Sequence, residues 1–129
     1  MTHNINKAIG IFDSGIGGLT VLKEIIQRLP KEDTVYLGDT ARVPYGTKSP
    51  ETVTRYSFEN TSFLLKHDIK LLVVACNTSS AISLKQIEKT LSIPVIGVLE
   101  PGAKAALKAT KSKRVGVIGT EATIGSEAY

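Results

Sequence analysis

The one cysteine of the chain, Cys76, ends the apolar run Leu71-Leu72-Val73-Val74-Ala75 and is followed at once by Asn77-Thr78-Ser79-Ser80. Such a pattern reads as a buried strand handing over to a helix. A thiol at a helix start faces the positive end of the helix dipole, which favours the thiolate, a nucleophile and a base. Asn77, Thr78 and Ser79 bring donors and acceptors for a small polar ligand to the same turn, although Ser79 and Ser80 also suit a helix start. The alternative for Cys76 is core filling, because free cysteine is among the most buried residue types and packs as a small hydrophobe. A second turn, Asp13-Ser14-Gly15-Ile16-Gly17-Gly18, closes the apolar run Ala8 to Phe12. Its glycines permit positive φ and close backbone approach. The helix start beyond them would offer free N–H groups to a carboxylate or phosphate. A carboxylate leaving a buried strand, as Asp13 does, needs partners or a ligand.

The third candidate is the loop Asp39 to Lys48, ten residues without apolar periodicity. Loops of that length in compact domains are often functional. Its Pro44-Tyr45-Gly46 would make a tight turn presenting backbone N–H groups; a plain surface loop is the alternative. Other chemistries fit less well. The dinucleotide fingerprint G-x-G-x-x-G fails at Thr20, although Asp39 imitates its ribose-binding acid. There is no phosphate loop of the G-x-x-x-x-G-K-[ST] type. No His, Cys, Asp and Glu grouping has metal-ligand spacing, so no metal is expected. His3 and His67 are isolated; neither follows a strand end, as a cysteine–histidine protease would need, and His67 suits a helix C-terminus.

These turns need a scaffold. Strand and helix patterns alternate along the whole chain. Short apolar runs lie at 8–12, 34–38, 70–75, 94–98 and 114–119. Between them, Leu22, Ile25, Ile26 and Leu29 form a helical stripe that Pro30 stops. Ser49-Pro50-Glu51 reads as N-cap, N1 proline and first-turn acid. The helix it opens has Val53, Tyr56, Asn60, Phe63 and Leu64 along one face, with Asn60 the odd member. Further helices are expected over 77–91, 103–109 and from 120 onward. The expected fold is α/β: an open, mostly parallel sheet with helices on both faces, a flavodoxin-like or Rossmann-like three-layer lobe. In such sheets ligands bind beyond the carboxyl ends of the strands, where all three candidate turns lie.

Bulk properties agree with a small globular unit. The chain has 129 residues, 42% hydrophobic and 22% charged. No apolar run reaches the ~18 residues of a membrane span, and no secretory signal pattern opens the chain. A lone cysteine fits a reducing cytosol. The net charge of +4 raises nucleic acid as a partner. However, the lysines are scattered, the cluster Lys111-Ser112-Lys113-Arg114 reads as a solvated turn, and no aromatic stripe accompanies it. No nucleic-acid or membrane partner is expected.

Taken together, the motifs resemble the glutamate racemases of the cofactor-independent aspartate/glutamate racemase superfamily. The matching stretches are 9–20, 36–46, 73–79, 94–98 and 115–120, in order over nearly the whole chain. The resemblance implies interconversion of L- and D-glutamate without a cofactor, in the cytoplasm, supplying D-glutamate for peptidoglycan. It implies two cysteines flanking the substrate α-carbon, Cys76 being the first, with Asp13 assisting proton transfer. Ser14, Tyr45, Gly46, Asn77, Thr78 and Thr120 match positions that hold glutamate. It also implies two similar lobes and allows a homodimer of the full-length form. On that reading, residues 1–98 are the first lobe and 99–129 an incomplete start of the second. The second cysteine, in a Cys-Thr-His motif of the family's other half, is missing. The present chain is then expected to be inactive alone, as a shortened product or a fragment. The alternatives are a non-catalytic glutamate-binding fragment and a relative acting on aspartate or hydantoins.

Overall fold

A computed structural model describes residues 6–129; His3 lies outside the described residues. The element order is β1 (Ala8–Asp13), α1 (Leu19–Arg28), β2 (Thr34–Gly38), α2 (Pro50–Leu65), β3 (Ile69–Val74), α3 (Asn77–Ile82), α4 (Leu84–Thr90), β4 (Val95–Gly97), α5 (Leu99–Ala109) and α6 (Glu121–Gly125). The four strands form one parallel sheet in the order β2-β1-β3-β4. The expected α/β sheet with helices on both faces is what the chain builds.

Alternation along the strands sorts the core into two layers. Ile9, Ile11, Val73 and Ala75 point to one face, where Val21, Leu22 and Ile25 of α1 cover them. Phe12, Ile69, Leu72 and Val74 take part in the opposite layer with Leu64 of α2 and Ile87 of α4. Because β1 and β3 are packed on both sides, they read as unbroken apolar runs rather than alternating ones. On the α1 face an apolar groove of about 700 Å³ stays open beside the helix, over Leu71, Val73 and Ile96.

Helix boundaries follow local chemistry. Ser49 caps α2, its hydroxyl accepting the Thr52 N–H at 3.3 Å, with Pro50 in the first turn. The buried face of α2 is Val53, Ser57, Asn60, Thr61 and Leu64. Phe63 was expected on that face but is 47% exposed. Ser57 meets Ser79 of α3 at 3.0 Å on the buried side, and Phe63 falls outside that contact. The single helix expected over 77–91 is two. Ser83 turns its hydroxyl back onto the Ser79 carbonyl at 2.9 Å and ends α3, and such i−4 bonding bends helices. The helix expected at 103–109 starts earlier, at Leu99, because Pro101 falls in the first turn where its missing N–H costs nothing.

The fifth strand expected at 114–119 does not form. The segment pairs with no strand among the described residues, and Ile118 is 99% exposed. Strand preference expresses fit to a neighbouring strand and a half-buried surface. Here β4 is followed by α5, and this run finds neither. The basic cluster 111–114 lies in an exposed turn, as expected.

Candidate active site

The chain passes from β1 to β2 on one side and then returns to lay β3 on the other side of β1. The order therefore reverses between β1 and β3, and the crevice beyond their carboxyl ends is where open α/β sheets bind ligands. Asp13 ends β1 and Cys76 follows β3. The two ends are locked together by the Ala75 N–H donating to the Phe12 carbonyl at 2.8 Å. A cavity of about 520 Å³ opens there, lined by Asp13, Ser14, Cys76, Asn77, Thr78 and Thr120 among others. Six of the eight expected site residues thus share one cavity.

Cys76 is the N-cap of α3 and is only 4% exposed. Its Sγ accepts the Ser79 N–H at 3.4 Å. Ser79 is itself fixed by a buried trio of hydroxyls: Ser57 donates to Ser79 Oγ at 3.0 Å and Ser83 to Ser57 Oγ at 2.9 Å. Cys76 packs with Tyr45 and Val53 in one buried cluster, yet it lines the cavity and holds a helix-start N–H.

The glycine turn works differently from the expectation. Among the described residues no glycine has positive φ. Close approach is the reason for Gly18, where a Cβ would stand 2.6 Å from Asp13 Cβ. The N–H groups of Gly15 and Gly18 donate to Asp13 Oδ2 at 3.2 and 2.9 Å. That answers how a buried carboxylate is satisfied, and it orients Asp13 into the cavity wall. Tyr36 reaches up from β2 and donates to the Gly15 carbonyl at 3.0 Å. Burial, then the nearby Asp13 and Cys76, push its hydroxyl up to about 12, so it stays a donor.

Tyr45 and Gly46 do not line this cavity. The Tyr45 ring is buried under the loop, and its hydroxyl donates to Asp39. Gly46 touches the site through Thr120, since a Cβ on it would lie 2.2 Å from Thr120 Cβ. The Gly46 carbonyl also accepts the Ala122 N–H at 3.1 Å. Thr120 caps α6 and pairs with the Thr78 hydroxyl at 3.0 Å. Asp39, the mimic of a ribose-binding acid, is committed to Tyr45 and to Arg42 Nε at 2.7 Å. No group of three or more His, Cys, Asp or Glu able to hold a metal occurs among the described residues, and no described helix is long and apolar enough to cross a membrane.

Comparison with known proteins decides what this arrangement belongs to. The sequence model of the Asp/Glu/Hydantoin racemase family matches residues 9–129. The chain belongs to this family. It is 74% identical over 123 residues to the glutamate racemase of Geobacter metallireducens, a match covering 95% of this chain and 46% of that protein. Its fold superposes on a glutamate racemase isoform from Bacillus anthracis with a TM-score of 0.93 at 52% identity, covering 96% of this chain and 47% of that one. The Francisella tularensis glutamate racemase in complex with D-glutamate gives a TM-score of 0.87 at 45% identity, covering 96% and 46%. The chain thus spans about half the length of the curated relatives it matches.

The group that supports the loop carries no motif of its own in the sequence. Asn60 and Tyr56 contact Tyr45 directly, and Arg42 reaches it through Asn60 and Asp39; none of the three is among the expected site residues. One signal was available: Asn60, a polar residue on an otherwise apolar helix face.

Proposed function

We propose that this chain supplies one side of a cofactor-independent glutamate racemase, with Cys76 as one of two opposed acid/base groups. The observation that carries the reading is the placement of Cys76 and Asp13 in one cavity at the β1–β3 crevice. Removing an α-proton from an amino acid without an electron sink needs a matched base, close positioning and donors for the developing charge. In the proposed step the Cys76 thiolate takes the α-proton and becomes a thiol. The electron pair is left on the α-carbon and the substrate carboxylate, and a proton returns from the opposite face. Asp13, held by Gly15 and Gly18, stands near the substrate ammonium and assists the transfer. Ser14, Asn77, Thr78 and Thr120 hold the substrate through side-chain or backbone donors. Tyr45 and Gly46 act through the loop backbone, because the Tyr45 hydroxyl is engaged elsewhere.

Inversion requires a second acid/base group, and this chain has one cysteine. We therefore assign residues 1–98 to a first lobe and 99–129 to the start of a second. The sheet closes at β4, and nothing after Leu99 adds a strand to it. Full racemisation then belongs to the full-length protein, in the cytoplasm, providing D-glutamate for peptidoglycan. The test is glutamate racemisation in deuterated water by full-length protein with and without Cys76→Ser. Loss of a positioned acid/base group predicts a fall of about 10²–10⁴-fold in turnover. Undiminished turnover by the Cys76→Ser protein would show that the base lies elsewhere.

A further inference from the structure

Asn60 lies in the middle of α2 and is buried, with no part in the cavity. Both ends of its amide are engaged. Asn60 Nδ2 donates to the Tyr45 hydroxyl at 2.9 Å, and Arg42 Nη2 donates to Asn60 Oδ1 at 3.2 Å. The Tyr45 hydroxyl donates to Asp39, which also accepts Arg42 Nε. Asp39, Arg42, Tyr45 and Asn60 therefore close a ring of hydrogen bonds. Three of them lie in the loop, and Asn60 is the anchor outside it. The Arg42 guanidinium lies 4.1 Å from the centroid of Tyr56, also on α2, and pairs with Glu59 of the same helix. Arg42 and Tyr45, both within the loop, are thereby tied to α2.

The ring connects to the cavity through the backbone. Tyr45 is followed by Gly46, whose close packing against Thr120 leaves no room for a Cβ. Thr120 pairs with Thr78, which follows Asn77 and Cys76. The Tyr45 ring also sits in the same buried cluster as Cys76. A shift of Tyr45 would move the Gly46 peptide and the Thr120–Thr78 wall together. We infer that Asn60 is a positioning residue, which through Tyr45 holds the 39–46 loop and the Gly46–Thr120 contact in register with the Cys76 cavity. The kinetic part of this inference rests on the racemase reading above.

The experiment uses full-length protein carrying Asn60→Ala, Tyr45→Phe or both. Tyr45→Phe removes only the hydroxyl and guards against a misfolded alanine variant. Hydrogen exchange is followed at the Arg42 and Lys48 amides, which donate within the loop to Asp39 and Tyr45 carbonyls. The Ala75 amide, bonded to Phe12, serves as the sheet reference. Either variant is expected to speed loop exchange roughly tenfold while Ala75 is unchanged. KM for glutamate should rise roughly tenfold with a smaller change in kcat, since misplacement rather than loss of the base is the defect. The double variant should be little worse than either single one, because both changes remove the Asn60–Tyr45 bond and open the same ring. Unchanged loop exchange, or equal acceleration at Ala75, would overturn the positioning role whatever the activity. Wild-type protein without racemase activity would overturn the functional reading alone, and loop exchange would still decide the positioning.

Discussion

Gly46→Ala is the sharpest perturbation of the geometry around the cavity. An added Cβ would stand 2.2 Å from Thr120 Cβ, 2.4 Å from its Cγ2 and 2.8 Å from its Oγ1. Thr120 is β-branched and caps α6, so it cannot swing away without disturbing that helix. Two responses compete. Retaining the contact means overpacking, which costs about 1–3 kcal/mol. Releasing α6 means giving up the Ala122 N–H to Gly46 bond at 3.1 Å and the Thr78 hydroxyl pairs with Thr120 and Thr123 at 3.0 and 3.1 Å. At about 1 kcal/mol net for each, that route costs about 3 kcal/mol. The cheaper route sets the loss, so about 1–3 kcal/mol is expected. Denaturant unfolding measures it, and hydrogen exchange at the Ala122 amide shows whether α6 has lifted. Gly102→Ala is the control. Its Cβ meets nothing within 4 Å, and it sits in α5, so a gain of about 0.5–1 kcal/mol is expected. If Gly46→Ala were as stable as wild type with Ala122 still protected, the Gly46–Thr120 packing would be wrong.

Two further outcomes are expected. Tyr36 is raised to about 12 by burial and by the charges of Asp13 and Cys76, and Tyr45 is raised by burial and its bond to Asp39. The folded state therefore keeps protons that the unfolded chain loses near pH 10, roughly. Their contribution to stability is complete below that pH and is lost as pH rises toward 12. Phenolate absorbance should show two of the four tyrosines titrating late, and Tyr36→Phe should remove one late step; simultaneous ionisation of all four in the folded protein would contradict this. Phe12→Ala, in the layer between β1 and α2, should cost about 3–5 kcal/mol in denaturant unfolding, whereas Ile16→Ala, 74% exposed in the glycine turn, should change stability by less than about 0.5 kcal/mol.

The sequence by itself determined the strands β1 to β4, the start of α2 at Ser49, the stop of α1 before Pro30, and the turns after β1 and β3. These are local properties: an apolar run, a Ser-Pro-Glu start and a glycine turn act over a few residues. It also put Asp13 and Cys76 at strand ends, where an open parallel sheet exposes ligand sites. Only the tertiary structure decided which groups were free to act. The Gly15 and Gly18 N–H groups are spent on Asp13, and the Tyr45 hydroxyl is spent on Asp39 and Asn60. The strand-like run at 114–119 stays unpaired, and the Ser83 hydroxyl breaks a helix that periodicity drew as continuous. The bonds that brace the cavity wall join residues distant in the chain: Asn60 lies 15 positions from Tyr45, and Thr120 lies 42 from Thr78. No local pattern of residue types encodes those pairings, so the positioning of the cavity wall became visible only once the chain was folded.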